Sequence, residues 1–347
     1  MISVILLLTV IWGAGSWLGW PRGLRWGLTA LLFAAILLTH AVLPADHPLP
    51  QALGGSFAGW ATLAGALVLI AGYARGLAWM KARAEAGAAS PEDDAPFSDG
   101  ELDRYARHIV LREIGGPGQM NLKQAKVLVV GAGGLGSPAL LYLAAAGVGT
   151  IGVIDDDHVS NSNLQRQVLY GVGDIDTPKV FAAKAAMEAQ NPNVVVRPYH
   201  RRLTDDIAEE LMAEYDLILE GSDNFATRYL VNRVAAKLGK PVVAAALTQW
   251  EGQISIYDPA SGAPCYQCVF PEIPAPGLAP SCAEAGVIGP LPGVMGSMMA
   301  VEAVKVLANA GEGLRGRLMI YDALYGETRN ITVKKRADCP ICGSGES

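Results

Sequence analysis

A glycine-rich turn is the first part of the sequence that could bind a ligand. It contains four closely spaced glycines, which are Gly131, Gly133, Gly134 and Gly136. They follow the apolar run 126–130 and precede the helical pattern 137–146, and this context brings backbone N–H groups and a helix N-terminus to a phosphate. Asp155 ends the next predicted strand, where it could accept hydrogen bonds from a ribose. These features alone predict a dinucleotide site, so an NAD-dependent oxidoreductase is one hypothesis.

Two cations and an acid are expected at the same edge of the predicted sheet. Arg166 follows the second predicted strand, Lys179 begins a helix, and Asp223 follows the apolar run 216–219. Two fixed positive charges suit a triphosphate better than the diphosphate of NAD. An aspartate beside phosphates can hold Mg²⁺. Each residue alone would be an ordinary solvated charge, but together they favour ATP with Mg²⁺.

The cysteines fall into two pairs and one remainder. Cys265 and Cys268 form one C-x-x-C unit, Cys339 and Cys342 form another, and Cys282 is left over. Paired units of this kind predict a closed tetrahedral Zn²⁺ site with a structural role. The alternatives are reduced thiol pairs or disulfides, and a cytoplasmic location disfavours disulfides.

The elements that must position these side chains alternate between strands and helices. After the strands at 126–130 and 150–154, further apolar runs stand at 194–196, 216–219 and 241–247, with helical stretches between them. This order predicts an α/β fold with a doubly wound, Rossmann-like, mostly parallel sheet. Ser98 and Glu101 match a capping box at the start of its first helix.

Residues 1–80 have a different composition. They hold three of the 27 Lys and Arg and one of the 33 Asp and Glu, but six of the seven Trp. A helix needs about 20 apolar residues to cross a bilayer, and we predict spans at about 2–20, 26–43 and 57–75. The alternatives are a cleaved signal peptide for the first segment and a buried helical hairpin for all three.

The basic residues near the predicted spans indicate an orientation. Arg22 and Arg25 lie between the first two spans, and Arg75 follows the third, while residues 44–56 contain no Lys or Arg. The positive-inside rule therefore predicts a multi-pass protein of the inner (cytoplasmic) membrane with its later residues in the cytoplasm. Residues 81–97 are rich in Ala, Gly, Pro and acidic residues, which predicts a flexible linker. Residues 98–347 are then predicted to form the catalytic domain.

The remaining 267 residues carry 24 basic and 32 acidic side chains. This net negative charge excludes a basic protein that coats nucleic acid, so no nucleic-acid partner is expected.

Many short motifs occur in order between residues 98 and 343. They include Arg104-Tyr-Ala-Arg107-His-Ile, Gly118-Gln, Gly147-Val-Gly149, Asp155-Asp-Asp157, Ser162-Asn-Leu-Gln-Arg166-Gln, Thr177-Pro-Lys179, Ser222-Asp-Asn224, Glu251-Gly-Gln253 and Glu284-Ala-Gly-Val287, besides the two C-x-x-C units. Through these motifs the chain resembles the MoeB/ThiF/HesA family, the adenylyltransferases that activate ubiquitin-like sulfur carriers. His108 and Asp156 depart from the usual pattern of that family.

The resemblance implies roles for individual residues. It implies an ATP site made of Gly134, Asp155, Asp157, Ser162, Asn163, Leu164, Gln165, Arg166, Lys179, Asp223 and Asn224, and it implies the same zinc at the four paired cysteines. Asp223 would hold Mg²⁺. Arg107 would reach into the site of a second subunit as an arginine finger, which implies a homodimer. Cys282 would be a candidate for a covalent bond to the carrier. The alternative is that Cys282 is a thiol without a role in the reaction.

The resemblance also implies the reaction and its partners. The C-terminal glycine carboxylate of the carrier would be adenylated and pyrophosphate released. The molybdopterin branch matches best, which predicts the small subunit of molybdopterin synthase as the carrier in molybdenum cofactor biosynthesis. The thiamine-pathway carrier is the alternative. Two further hypotheses are that the protein is a relative that acts on tRNA, or a non-catalytic, membrane-tethered module that binds the carrier. A separate protein is expected to donate the sulfur.

Overall fold

The structure is a computed structural model that describes residues 2–44, 46–87, 96–273 and 285–343. The chain divides into two compact units, Met1–Ala95 and Pro96–Ser347. Cys282 lies outside the described residues, so the predicted covalent role of this thiol has no structural counterpart here.

The first unit is helical. Its helices are α1 Ile2–Thr9, which continues through a π-helical turn at Val10–Ala14 into α2 Gly15–Trp17, then α3 Arg22–Val42, α4 Pro48–Leu53 and α5 Phe57–Gly87. Among its described residues, one small hydrophobic cluster is buried, formed by Val4, Phe33, Ile36 and Trp60. Most other large apolar side chains of these helices are exposed.

Among the described residues of this unit, two helices are long and apolar enough to cross a membrane, Arg22–Val42 and the Phe57–Lys81 part of α5. They correspond to the second and third predicted spans. Over the first predicted span, 2–20, the helix ends at Trp17, and Val4–Trp17 counts among the shorter apolar helices. Helix α5 also continues to Gly87, so the first residues of the predicted linker are helical.

In the described part of the second unit, eight strands form one sheet. The strands are β1 Lys126–Val130, β2 Thr150–Ile154, β3 Val195–Tyr199, β4 Leu217–Glu220, β5 Val242–Leu247, β6 Glu251–Tyr257, β7 Arg317–Asp322 and β8 Glu327–Thr332. Their order is β3-β2-β1-β4-β5-β6-β7-β8. The first five strands are parallel and the last three pairings are antiparallel. The Rossmann-like part of the prediction is confirmed, and the antiparallel extension is an addition to it.

Helices cover both faces of this sheet. They are α6 Asp99–Ile109, α7 Gly115–Gln124, α8 Gly136–Ala146, α9 Lys179–Gln190, α10 Asp205–Ala213, α11 Phe225–Leu238, α12 Tyr266–Val269 and α13 Pro290–Ala308. Side chains of α7, α8, α9 and α13 form one core cluster with the sheet. Side chains of α10, α11 and α12 form the other. Burial on both faces explains why the parallel strands are uninterrupted apolar runs.

Helix α13 meets the length and composition criteria for a membrane span, but half of its apolar window is buried within the structure. It packs against α8 and against β5 and β6. We therefore assign α13 to the core of the second unit.

The strand order reverses between β1 and β4, and this is the place where a doubly wound sheet binds its ligand. The carboxyl ends of β1, β2 and β4 lead into the three segments that hold the predicted glycines and acids. The capping box before α6 is also confirmed, because the Glu101 N–H donates to Ser98 Oγ and the Ser98 N–H donates to the Glu101 carboxylate.

Candidate functional site

A cleft of about 1210 Å³ opens at the carboxyl ends of the parallel strands. Ten of the predicted site residues line it, namely Gly131, Gly133, Gly134, Asp155, Asp157, Asn163, Arg166, Lys179, Asp223 and Asn224. The structure therefore brings together three of the four glycines, both cations and the acids that the sequence predicted for ATP. Among the described lining residues, five predicted ones do not occur: Arg107, Gly136, Ser162, Leu164 and Gln165.

The glycine turn needs its glycines for geometric reasons. Gly131 has φ +95°, a conformation that side-chain-bearing residues rarely adopt, and its N–H donates to Ile154 O over 2.9 Å. A Cβ on Gly136 would overlap with the Gly131 carbonyl oxygen. A Cβ on Gly134 would press against Pro292 at 2.9 Å. Gly136 thus acts by letting α8 start close behind the turn, while Gly133 and Gly134 face the cleft.

Asp155 joins the glycine turn to the second strand. Its Oδ2 accepts the Ala132 N–H at 2.7 Å, and its Oδ1 accepts the Asp157 N–H at 2.8 Å. Burial raises the pKa of this carboxyl, against the opposing effect of the Lys179 charge and the two N–H groups. Asp155 lines the cleft, and its hydrogen bond to a ribose hydroxyl stays a prediction.

Lys179 is a buried cation at the first turn of α9. It is 5% exposed, and its Nζ lies 2.7 Å from Asp157 Oδ2. Its own backbone N–H donates to Asp157 O, so the loop after β2 and the start of α9 are tied together twice. Asp157 is mostly exposed on its other side. An anion bound in the cleft could therefore share the Lys179 ammonium group with Asp157 without disrupting the fold.

The segment 160–170 presents Arg166. A 3₁₀ turn at Asn161–Asn163 begins it, and Arg166 Nη1 donates to the Ser162 carbonyl oxygen at 3.0 Å. Asn163 accepts the Ser160 N–H, and Leu164 packs against the core. Ser162 and Leu164 thus shape this segment, whereas Asn163 and Arg166 face the cleft.

The loop that carries Asp223 is held by a buried ion pair that the sequence reasoning did not assign. Arg228 Nη1 lies 3.2 Å from Glu220 Oε2, and both side chains are almost fully buried. Arg228 also donates to the carbonyl oxygens of Ser222 and Ala245. Burial raises the pKa of Glu220, while the charge of Arg228 opposes that rise. A glutamate ending the apolar run Leu-Ile-Leu-Glu220 was the available signal, since a charge in a buried strand needs a partner.

Asn224 has a second task beside lining the cleft. Its side chain caps α11 by accepting the Thr227 N–H at 2.8 Å. The cap fixes the direction in which the chain leaves the Asp223 loop. Asp223 itself is exposed at the cleft.

Two more arginines line the cleft, Arg201 and Arg202, in the loop after β3. Arg202 pairs with Asp156 at 3.3 Å. The sequence reasoning missed both, and the signal was the basic pair immediately after a predicted strand. Asp156, which departs from the family pattern, thus has a local partner.

Arg107 lies near the end of α6 with an exposed side chain. The structure does not bring it to the cleft lined by the described residues of its own chain. The predicted contact with a second subunit stays a prediction.

Four cysteines converge at a place where none of them lines the cleft. The Sγ atoms of Cys265 and Cys339 are 3.6 Å apart, those of Cys268 and Cys342 are 3.4 Å apart, and all four lie within 4.8 Å of one another. A tetrahedron with Zn–S bonds of 2.3 Å needs sulfurs about 3.8 Å apart. The donor set and its burial therefore fit Zn²⁺, which would tie α12 to the segment after β8.

N–H donors near these sulfurs also suit thiolates. Asn232 Nδ2 lies 3.7 Å from Cys265 Sγ, and the Arg336 N–H donates to Cys268 Sγ at 3.4 Å. Burial would raise the pKa of Cys339, but hydrogen bonds from the backbone N–H groups of Cys342 and Ile341 and from the thiols of Cys265 and Cys268 together lower that pKa to about 7. Burial raises the pKa of Cys342 to about 11. The N–H donors help to hold metal-bound sulfur in its charged form.

Some of the recognised motifs serve the fold instead of the cleft. The buried Tyr105 hydroxyl accepts from Asn191 Nδ2 at 2.8 Å, and a Cβ on Gly147 would overlap with the Tyr105 ring. Gln119 Nε2 donates to Ala146 O at 2.8 Å, and His108 Nδ1 lies 3.2 Å from Gln119 Oε1. These contacts lock α6 and α7 onto the end of α8.

Comparison with known proteins agrees with this geometry. The profile of the ThiF family matches residues 105–341. The chain is 51% identical over 247 residues to the sulfur carrier protein adenylyltransferase of Thermus thermophilus, covering 70% of this chain and 91% of that protein. It is 47% identical over 245 residues to the SAMP-activating enzyme E1 of Haloferax volcanii, covering 71% and 90%.

Other similar proteins are longer or more distant. A probable adenylyltransferase/sulfurtransferase, MoeZ of Mycobacterium tuberculosis, is 48% identical over 252 residues, which cover 72% of this chain and 64% of MoeZ. Among solved structures, Escherichia coli MccB with MccA-N7isoAsn superposes with a TM-score of 0.62 at 21% identity, over 73% of this chain and 77% of MccB. That likeness concerns the fold alone.

Proposed function

Because the chain belongs to the ThiF family and is an adenylyltransferase of that type, we propose that its carrier is the small subunit of molybdopterin synthase. The broader activity is ATP-dependent adenylation of a ubiquitin-like sulfur carrier. The observation that carries this activity is the meeting of a glycine turn with a buried lysine, Lys179, and with Arg166 in one cleft. The choice of carrier rests on the sequence resemblance to the molybdopterin branch of the family.

The chemistry follows from the charges of the reactants. The C-terminal carboxylate of a carrier is ionised at neutral pH and needs no general base. One of its oxygens attacks the α-phosphorus of ATP, the bond from that phosphorus to the bridging oxygen breaks, and pyrophosphate leaves with the electron pair. The protein has to position two anions and offset their charge. Arg166 and Lys179 supply that offset from opposite ends of the segment 166–179.

We assign the Mg²⁺ to Asp223. Its side chain is exposed at the cleft, and the loop that holds it is anchored by the Glu220–Arg228 pair. Mg²⁺ is bound in proteins through one or two carboxylates together with substrate phosphates. When bound, it would offset phosphate charge and favour departure of pyrophosphate.

The choice of carrier is tested by ATP–pyrophosphate exchange. The purified full chain is incubated with ATP, labelled pyrophosphate and either the molybdopterin-synthase small subunit or the thiamine-pathway carrier. The proposal expects exchange with the former at a kcat/KM at least about tenfold higher, a difference of about 1.4 kcal/mol. A preference for the thiamine carrier would replace the proposal with its alternative.

We further propose that the active form is a homodimer in which Arg107 completes the site of the other subunit. Two facts support it: Arg107 is exposed, and it does not line the cleft of its own chain. Arginine fingers supplied by a second chain raise phosphoryl-transfer rates by about 10³–10⁵.

A membrane location is the last part of the proposal. Helix α3 and the Phe57–Lys81 part of α5 are long and apolar, and only 6% of the apolar window of each is buried. So much exposed apolar surface is typical of a surface that meets lipid or another protein. We place these helices in the inner (cytoplasmic) membrane and the second unit in the cytoplasm.

A further inference from the structure

Arg25 is a half-buried cation of the first unit to which no role has been given so far. It lies in the first turn of α3, which begins at Arg22. Its Nε and Nη2 both donate to the Trp20 carbonyl oxygen, over 3.0 Å and 2.9 Å. Its guanidinium also lies over the ring of Trp12, with 5.7 Å between Cζ and the ring centroid. The guanidinium is therefore held in one place by contacts on two sides.

The chain around Arg25 is shaped to receive this side chain. Gly15 is buried, and a Cβ there would press against Trp20 Cε3 at 3.0 Å and against Arg25 Cδ at 3.2 Å. Trp12 is fixed in its turn, because its Nε1 donates to Thr29 Oγ1 at 3.2 Å. The glycine thus leaves the space that the arginine occupies, and the tryptophan supplies the surface on which the guanidinium rests.

The positive charge of Arg25 has no acidic neighbour. Residues 1–80 contain one acidic residue, Asp46, which follows the far end of α3. A helix rises about 1.5 Å per residue, so α3 separates the two charges by about 25 Å. The ion pairs formed by the described residues all lie in the second unit, so none of them involves Arg25. Nε and Nη2 bind the Trp20 carbonyl oxygen, and the donors of Nη1 remain for a ligand.

The free donors and the charge indicate which ligand this turn could bind. A guanidinium recognises phosphate oxygens through parallel hydrogen bonds. Arg22 is exposed three residues earlier on the same helix face, and the N-terminus of α3 adds a positive partial charge. Exposed tryptophans such as Trp26 are typical of the level of lipid headgroups. A zwitterionic headgroup carries its own cation, which these positive charges repel, so an anionic headgroup fits better.

We propose that Arg25, assisted by Arg22, binds the phosphate of an anionic phospholipid at the turn between α2 and α3. The inference rests on the proposed membrane location of the first unit and does not depend on which carrier is used. The basic residues place this turn on the cytoplasmic side, where anionic lipids attract arginine and lysine. The bound headgroup holds the start of α3 at the membrane surface and so sets the depth of the first unit.

The test measures which lipids lie next to the tryptophans of the full chain. Six of the seven Trp belong to residues 1–80, so their fluorescence reports on the first unit. The chain is reconstituted into mixed vesicles of phosphatidylcholine and phosphatidylglycerol, in which either the one lipid or the other is brominated. Bromine quenches tryptophan on contact, and the ratio of the two quenching curves gives the preference for the anionic lipid. We expect a preference of about fivefold in the wild type.

The variants separate a bound headgroup from general attraction between charges. Arg25→Gln should quench equally with both lipids, and Arg22→Gln should show a reduced preference. Arg83→Gln is the matched control, because Arg83 also lies over a tryptophan ring, that of Trp79 at 5.2 Å, but is exposed. This control should keep the preference of the wild type. Equal losses in Arg25→Gln and Arg83→Gln would show attraction without a site and would overturn the proposal.

The other outcomes are also decisive. If Arg25→Gln does not insert into vesicles, Arg22→Gln decides, because the exposed Arg22 can be replaced without removing the contacts of Arg25. An unchanged preference of that variant would then overturn the proposal. A preference abolished by inorganic phosphate, but not by chloride at the same ionic strength, would identify free phosphate as the ligand and exclude the lipid.

Flotation of the vesicles distinguishes the failure of this inference from the failure of the membrane proposal. A wild type that floats with the vesicles but shows no preference overturns this inference alone. A wild type that does not float refutes the proposed membrane location, and this inference with it.

Discussion

At the scale of single residues, Lys179 is the centre of the charge arrangement. It is buried, it pairs with Asp157 at 2.7 Å, and its charge opposes the rise of the Asp155 pKa. Replacing it with alanine leaves Asp157 facing the phosphates without compensation. Removing one positioned group that stabilises developing charge typically costs about 10²–10³ in rate.

We therefore expect Lys179→Ala to lower kcat/KM in ATP–pyrophosphate exchange by about 10²–10³. The control is Lys184→Ala on the same helix, because Lys184 is partly exposed and its contact with Glu188 is 3.7 Å long. That variant should exchange at the wild-type rate. Equal losses in both variants would show that α9 has been damaged and that Lys179 has no special role.

A second prediction concerns the buried pair behind the Asp223 loop. Arg228→Ala strands the Glu220 carboxylate in the core, and breaking such a pair costs about 3–5 kcal/mol of stability. Arg233→Ala removes an exposed ion pair on the same helix, which is worth at most about 1 kcal/mol. Denaturant unfolding of both variants in detergent measures the difference, and similar losses would contradict the role given to Arg228.

The sequence predicts those site residues that belong to a recognisable motif, but it does not predict the contacts that support them. The four glycines, Asp155, Lys179 and the paired cysteines follow from spacing and neighbouring apolar runs. Glu220 and Arg228 depend on which segments meet in three dimensions, and no local pattern pairs the one with the other. Arg201 and Arg202 are similar, because a basic pair after a strand is usually a solvated turn.

At the scale of elements, α11 connects the cleft with the four cysteines. Asn224 caps the helix, Arg228 holds the Asp223 loop, and Asn232 accepts the Tyr266 N–H beside Cys265. These residues are four apart and share one face of the helix. A metal ion bound by the four cysteines would therefore support the helix that begins at the cleft.

Removing a cysteine should test this support. We expect Cys339→Ser to lose its zinc and to melt at a lower temperature, because metal binding energy contributes to folding. Cys282→Ser serves as the matched control and should keep its zinc. Zinc content by atomic absorption and the melting temperature are measured together, and a Cys339→Ser chain with full zinc and unchanged stability would refute the assignment.

Some elements could be predicted because burial imposes a pattern on them. The parallel strands are apolar on both faces, and their predicted positions agree with β1 to β5 within a few residues. The antiparallel strands β6 to β8 were not predicted. All residues of β8 are exposed, so it carries no apolar alternation that could identify it. The helix over 2–20 also ends early, at Trp17, after a π-helical turn that composition does not reveal.

At the scale of the whole molecule, composition separates the two units but does not by itself identify a membrane span. Helices α3, α5 and α13 are all long and apolar, yet α13 is half buried among other elements. The contacts of a helix distinguish a membrane span from a core helix, since an apolar helix that packs against other elements already has its apolar surface buried.

The membrane proposal predicts that the protein stays with the membrane pellet after alkaline carbonate extraction. Leu69 of α5 is 75% exposed and lies near the middle of its apolar stretch. Leu69→Lys should weaken insertion by about 2.5–3.5 kcal/mol and release part of the protein, whereas Leu69→Ala should not. Recovery of the wild type in the supernatant would exclude a membrane-spanning role.

The homodimer proposal makes a complementation prediction. Arg107→Ala and Lys179→Ala should each be nearly inactive, but a mixed dimer has one site with an intact Lys179 and the partner's intact Arg107. Co-expression of the two variants should therefore restore a measurable part of the exchange activity. No recovery in isolated mixed dimers would place Arg107 outside the partner's site.

The measurement that tests the central claim most directly is the dependence of ATP–pyrophosphate exchange on the carrier's C-terminus. The full chain is assayed with Mg²⁺ and ATP in three ways: with an intact carrier, with the same carrier lacking its terminal glycine, and without carrier. We predict exchange with the intact carrier only, since the proposed reaction needs the terminal carboxylate to reach the α-phosphorus and a carrier one residue shorter would hold its carboxylate out of reach. Exchange without carrier, or equal exchange with the shortened carrier, would contradict the account.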